Sequence, residues 1–277
     1  MAGDLKVLTP RHVPALRQLL SRDPVAHCFV ESRLDEALDS WSIGGELWGW
    51  FEHRELESAV LVGANLIPIE TTAPARAAFA DHARRAGRRC SSLVGQADEV
   101  LDLWRLLDPA WGPAREVRDR QYLMATSSPA SRPAHPGLRP LWIEELDLLM
   151  PAAIAMFTEE VGVSPVAHGG GPAYRARLAQ IVRAGHALAV VEAGQILFKA
   201  EIGSATARAC QVQGVWVDPR HRGRGLGAAG MAAVVDHCLA HICPTVSLYV
   251  NDFNHAAVAT YLRVGFQTVG TFATVLL

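Results

Sequence analysis

The chain has 277 residues, half of them apolar, with 26 basic against 28 acidic side chains and a formal charge of −2. That length favours two domains over one, with apolar material for two modest cores. The near-neutral balance and a pI near 6.6 exclude the global basic field that nucleic acid recruits. Five cysteines (Cys28, Cys90, Cys210, Cys238, Cys243) are scattered with no Cys-x-x-Cys, which fits a reducing compartment and unpaired thiols. Met1-Ala2-Gly3-Asp4-Leu5-Lys6 carries no basic-then-apolar signal. No run of about 18 apolar residues follows either, so a cytoplasmic chain with no membrane contact is expected.

The first elements are a short strand at Lys6-Val7-Leu8 and a helix from Val13 to Ser21. Leu47–Phe51 and Ser58–Gly63 alternate as a hairpin should, and Asn65–Glu70 continues the sheet. A helix at Pro74–Ala86, a strand at Ser91–Val94 and a helix at Ala97–Leu107 follow. Arg84, Arg85, Arg88 and Arg89 flank Gly87 at a helix end, where cations suit the macrodipole, and read as a solvated terminus. Trp41, Trp48 and Trp50 read as core or interface rather than a substrate cage. Residues 127–137, rich in proline and small polar side chains, form the clearest break and read as an exposed linker.

Beyond it the order repeats: a strand at Leu138–Trp142, a helix at Glu144–Phe157, then a hairpin of His186–Glu192 with Gln195–Ile202. The strand ending Val215-Trp216-Val217 meets Asp218-Pro219 and the turn Arg220-His221-Arg222-Gly223-Arg224-Gly225-Leu226-Gly227, after which a helix runs from Ala228 to Ala240. Strand, glycine-rich basic turn and helix start together make an anion site for a phosphate, and a pyrophosphate is expected. A Walker loop is excluded because no Gly-x-x-x-x-Gly-Lys-Ser/Thr occurs, and the glycine spacing is wrong for a dinucleotide fingerprint. A strand at Thr245–Val250, a turn capped by Asn254, a helix at His255–Arg263 and a strand from Phe266 complete the chain. His237, Cys238 and His241 lack a further ligand in view, so no metal is expected.

Arg222, Gly225 and Gly227, together with Asn254, Ala257, Tyr261, Gly265 and Phe266, stand in the register of two motifs of the GNAT N-acetyltransferases, which residues 137–277 resemble. One departure is Thr260, where leucine is usual. The resemblance implies a mixed α/β fold, GNAT in the C-terminal half, with acetyl-CoA as co-substrate. It assigns Val215, Trp216 and Val217 to the strand that pairs with the pantetheine arm. The N–H groups of Arg222, Gly223, Arg224, Gly225, Leu226 and Gly227 would hold the pyrophosphate, and Asn251, Asn254 and Ala257 would reach the cofactor from the other lip. Tyr261 becomes the proton donor to the CoA thiolate. Glu201 is the candidate base, and Glu159 with Glu160 would line the acceptor wall.

The repeated element order suggests a tandem: 1–126 a degenerate GNAT-like or accessory domain, 127–137 a linker and 138–277 the catalytic domain. In the first half the segment equivalent to the loop is Glu70-Thr71-Thr72-Ala73-Pro74, which has no glycine or arginine and would repel a pyrophosphate. The reaction class is then N-acetyl transfer by direct attack in a ternary complex. The alternatives are a non-catalytic acyl-CoA sensor and a GNAT-like interaction scaffold. The acceptor, a small-molecule or protein amine, stays open among amino acids, polyamines, aminoglycosides, protein amino groups and thiol-precursor amines. The three glutamates lean toward a cationic one. A homodimer is also left open.

Overall fold

The computed structural model describes residues 3–37, Trp41 and residues 43–277. Met1 and Ala2, the start of the stretch read for a targeting signal, lie outside them. The chain forms two compact units, and neither is a continuous segment. One holds residues up to Met124 together with Tyr249–Asn254 and Thr268–Leu277; the other holds Ala125–Leu248 and His255–Gln267. A linear cut at 126 and 138 therefore differs from the packed units at the C-terminal strand, which returns to the first.

The first unit contains β1 (Asp4–Val7), α1 (Val13–Leu20), α2 (Cys28–Glu36), β2 (Gly45–Glu52), β3 (Glu55–Gly63), β4 (Asn65–Ile69), α3 (Ala73–Ala86), β5 (Ser92–Gln96), α4 (Ala97–Trp111) and β6 (Glu116–Thr126). The second contains β7 (Leu138–Pro140), α5 (Leu146–Val161), α6 (Gly171–Arg183), β8 (Ala187–Glu192), β9 (Gln195–Ala205), β10 (Cys210–Val217), α7 (Leu226–His241), the first half of β11 (Val246–Asn251) and α8 (His255–Val264), and β12 (Gln267–Leu276) follows. The order strand, two helices, three strands, helix, strand, helix, strand thus occurs twice. α2, α6 and β6 were not foreseen from the sequence.

In the first unit the strands run β1-β2-β3-β4-β5-β12-β6, with β12 antiparallel to β5 from Phe272↔Gln96 to Leu276↔Ser92. Period-two alternation sorts its side chains onto two faces. Leu47, Leu61 and Ile67 join the core beneath α1 and α2, while Trp48, Val60 and Leu66 join the core beneath α3 and α4. Trp48 is 1% exposed, with its ring edge-on to His82 at 4.4 Å, so this tryptophan serves packing.

Where a phosphate loop would open α3, the protein supplies its own carboxylate. Glu99, on the first turn of α4, accepts from the Thr71 N–H at 2.7 Å and from the Thr71 hydroxyl at 2.5 Å. Glu70 takes a positive φ of 52° and accepts from His27 Nε2 at 2.9 Å. Burial pushes the Glu99 carboxyl up from its ordinary value, against the pull of the two Thr71 bonds. A raised folded value adds stability below the unfolded value, and that stability is lost as pH rises through the folded one. Glu99→Gln, which keeps an acceptor and removes the charge, is therefore expected to gain on wild type between pH 4 and pH 7. Glu99→Ala orphans both donors and is expected to cost about 1–3 kcal/mol. Urea melts of the three proteins at both pH values check this.

In the second unit the order is β11-β10-β9-β8-β7. The ladders β7–β8, β8–β9 and β9–β10 are antiparallel, and β10–β11 is parallel. The β8–β9 hairpin turns on Ala193-Gly194, both at positive φ, as its twist demands. α5 and α6 cover one face, where Leu149, Ala153 and Ile181 share a core with Trp216 of β10. α7 packs closely on the other: a Cβ on Gly230 would lie 2.7 Å from the Phe198 ring. The segment read as an exposed linker is mostly exposed yet pinned to this unit. Ala130 N–H donates to Asp236, Ser131 N–H to the Val264 carbonyl and His135 N–H to the Ala229 carbonyl. Among the described residues, no helix is long and apolar enough to cross a membrane, and the five cysteines are buried and form no disulfide.

Candidate functional site

The basic turn folds as its residues dictate. Pro219 opens a short 3-10 turn to His221, which Asp218 caps by accepting from the Arg220 N–H at 2.9 Å. The Arg220 guanidinium and this N–H hold the Asp218 carboxyl well below the usual carboxylate range. Gly223 and Gly225 then take φ of 73° and 83°, and α7 begins at Leu226. A Cβ at either glycine would meet nothing within 4 Å, so the backbone here borders open space. Gly227 is different, its missing Cβ lying 3.4 Å from Val217 Cγ2, where it lets helix and strand approach. Open backbone with positive φ at a helix start is what an anion such as pyrophosphate needs.

β10 leads into this loop with an interrupted ladder. Its parallel pairing with β11 covers Cys210↔Val246 and Gln211↔Ser247, whereas its pairing with β9 runs on to Val217↔Phe198. A bulge lies between Gln213↔Glu201 and Trp216↔Lys199, so Gly214 and Val215 stand opposite Ala200. A bulge leaves one residue out of the ladder and re-aims its backbone. Val215 is one of the two bulge residues. The Val217 carbonyl, expected to meet the cofactor's amides, accepts instead from Arg222 Nε at 3.0 Å. The Trp216 side chain is 9% exposed in the core beneath α5 and α6, so only its main chain could serve a ligand.

Three groups carry contacts that the sequence did not foresee. Glu159 lies beside the turn, with Arg222 Nη2 donating to its two oxygens at 2.8 and 3.1 Å and Trp216 Nε1 at 3.4 Å. Glu201 is buried. It is 5% exposed and accepts from Lys199 Nζ at 2.5 Å, and Lys199 is fully buried. Asn251 and Asn254 pack with the first unit, where Asn251 Oδ1 accepts from Gln121 Nε2 at 2.8 Å. Lys199 and Gly214 were missed, although the signals were present: Lys199 and Glu201 are two apart on one strand, and a glycine inside a strand marks a bulge.

Tyr261 is on α8, 7% exposed, its ring 5.8 Å from that of Phe266. Burial, reinforced by the charge of Glu160, pushes its phenol above the ordinary value, so it carries its proton at neutral pH. Tyr174, on α6, donates to the Ala153 carbonyl at 3.0 Å and is likewise pushed up by burial and by Glu201. Ala257 lies in the first turn of α8 and is half-buried. Gly265, at φ 119°, closes that helix, with its N–H donating to the Tyr261 carbonyl. His237 and His241 have rings 4.9 Å apart, and among the described residues no group of three ligating side chains could hold a metal.

Residues 164–266, which contain the bulge, the loop and Tyr261, match the acetyltransferase (GNAT) family. That match lies wholly within the C-terminal half. GNAT acetyltransferases use acetyl-CoA. Residues 45–149 match a domain family of unknown function (DUF4081). A mycothiol acetyltransferase of Kytococcus sedentarius is 42% identical over 57 residues, a stretch that covers 21% of this chain and 19% of that protein. A GCN5-related N-acetyltransferase from Sphaerobacter thermophilus superposes with a TM-score of 0.62 at 15% identity, covering 99% of this chain and 95% of that one. A tandem GNAT protein from the clavulanic acid biosynthesis pathway does so at 0.56 and 14% identity, covering 99% and 98%. These likenesses extend the GNAT fold over nearly the whole chain, in a tandem arrangement with a mixed sheet.

Proposed function

We propose that the protein is an acetyl-CoA-dependent N-acetyltransferase with a single active half, the C-terminal one. The observation that carries this reading is the open backbone of Gly223 and Gly225 at the start of α7, flanked by Arg222 and Arg224. Those N–H groups would hold the pyrophosphate and the bulged β10 the pantetheine arm. The acceptor amine attacks the thioester directly in a ternary complex. The Val215 N–H supports the oxyanion, Glu201 takes the amine's proton and Tyr261 protonates the departing thiolate.

The charges bear on the acceptor. Glu201 is balanced by Lys199 and Glu159 by Arg222, so they do not add up to a cation-selecting wall. The acceptor is a small-molecule or protein primary amine, with mycothiol-related acceptors the first to screen in view of the Kytococcus relative.

Calorimetric titration of acetyl-CoA tests the site. Wild type is expected to bind at one site per chain. The Arg222→Ala/Arg224→Ala variant should lose about tenfold or more, in line with the loss of charge-assisted bonds. Glu159→Gln, which releases Arg222, should bind more tightly. Absence of binding by wild type would overturn the assignment, and two sites per chain would overturn the single active half.

A further inference from the structure

Lys199 is fully buried and the Glu201 side chain is 6% exposed, a charge pair inside the sheet-and-helix layer of the second unit. Packing does not require it, since a buried ion pair is commonly no more stabilising than apolar side chains of the same volume. Its place is specific. Both side chains stand on one face of β9, and their β10 partners Trp216 and Gln213 bracket the bulge. A Cβ on Gly214, at φ 59°, would lie 3.1 Å from Lys199 Nζ and 3.3 Å from Glu201 Cδ. The pair therefore lies directly against the point where the β10 backbone leaves its ladder.

We propose that Lys199 is a positioning residue for acetyl transfer: its ammonium holds the Glu201 carboxylate in one orientation, and ionised, against the β10 bulge, where it can take a proton from the acceptor amine. This rests on the reading of Glu201 as the base. The other groups around Glu201 leave the task to Lys199. α6 contributes Tyr174, a phenol kept neutral by burial, and α5 brings the thioether of Met156 to the bulge. β8 places Ala187 opposite, β10 places Gln213, and α7 packs on Phe198, on the other face of β9.

The protons balance without a further reactant. An acceptor ammonium gives one proton to Glu201 and attacks as the amine. The carbon–nitrogen bond forms, the carbon–sulfur bond breaks, and the thiolate takes the Tyr261 proton. The nitrogen's surplus proton restores Tyr261, and Glu201 releases its own to solvent. Lys199 keeps its protons throughout.

The test is infrared titration of the carboxylic-acid carbonyl band, assigned by its loss in Glu201→Gln, with acetyl-CoA bound. In wild type the band should be absent at pH 7 and appear only on acidification. In Lys199→Met it should appear at least about two pH units higher, a hundredfold change in proton affinity. Lys199→Arg should restore most of the wild-type behaviour. With the acceptor from the screen, the acidic limb of kcat should move in the same direction while acetyl-CoA affinity stays unchanged. A protonated band in wild type at pH 7 would overturn the proposal whether or not Lys199→Met folds, and so would an unmoved midpoint in that variant. Undiminished turnover by Glu201→Gln would instead overturn the base reading, and with it the role of Lys199 in transfer.

Discussion

Replacing Tyr261 with phenylalanine is expected to lower kcat by about 10²–10⁴-fold, the usual worth of a positioned general acid, while acetyl-CoA binding stays within about twofold. At about 1.4 kcal/mol per factor of ten, that is a loss of about 3–5 kcal/mol of transition-state stabilisation. The substitution keeps the ring, which packs against Phe266 and is 7% exposed, so the helix and its close at Gly265 persist. What disappears is one hydroxyl whose proton is held firmly by burial and by the Glu160 charge. A firmly held proton is a reluctant donor in water. Beside a desolvated thiolate the match improves, because burial raises the proton affinity of both partners. The sign of the pH dependence follows. The protonated phenol is the active form, so activity attributable to Tyr261 is lost only as pH rises through its raised value. No basic limb from this group is expected below about pH 10, its ordinary value. Free-thiol release measured against pH for wild type and variant checks both parts, and unchanged turnover would remove Tyr261 from the mechanism.

Much of this arrangement was legible from local pattern. The hairpins alternate with period two, and the loop announces itself by glycine and arginine between a β-branched strand and a helix. The spacing Asn254, Ala257, Tyr261, Gly265 places the tyrosine on its helix. α2 and α6 were harder for a physical reason. α2 buries Glu31 and Ser32 along with its apolar residues, which blurs its stripe, and α6 opens on Gly171-Pro172. The return of β12 to the first unit was out of reach altogether, because the mostly apolar run Phe272 to Val275 says that a strand exists and not which sheet receives it. At the site, Glu201 was found by its type, but its buried partner was not. A carboxylate in a strand is usually solvated, and only the register with β10 shows that Lys199 and the bulge enclose it.

That enclosure leads to the second large effect, which is on stability. Lys199→Met alone is expected to destabilise the protein by about 3–5 kcal/mol, the usual cost of leaving a buried charge without its partner. Glu201→Leu alone should cost a similar amount, with an ammonium stranded at 0% exposure in place of a carboxylate. The double variant Lys199→Met/Glu201→Leu removes both charges and keeps the volume. It should recover most of the loss, matching or exceeding wild type, since desolvation of two ions then no longer opposes folding. The coupling between the two positions would thus be several kcal/mol, far above the few tenths expected of independent sites. Urea denaturation of the four proteins measures it, provided the m-value is shared, so that only the midpoint moves. Additive costs would mean that water or another group compensates each charge, contrary to the packing around Gly214. A stable double variant that still binds acetyl-CoA yet turns nothing over would separate the two roles of this pair. Folding would then not need two charges there, whereas removing a proton from an amine would.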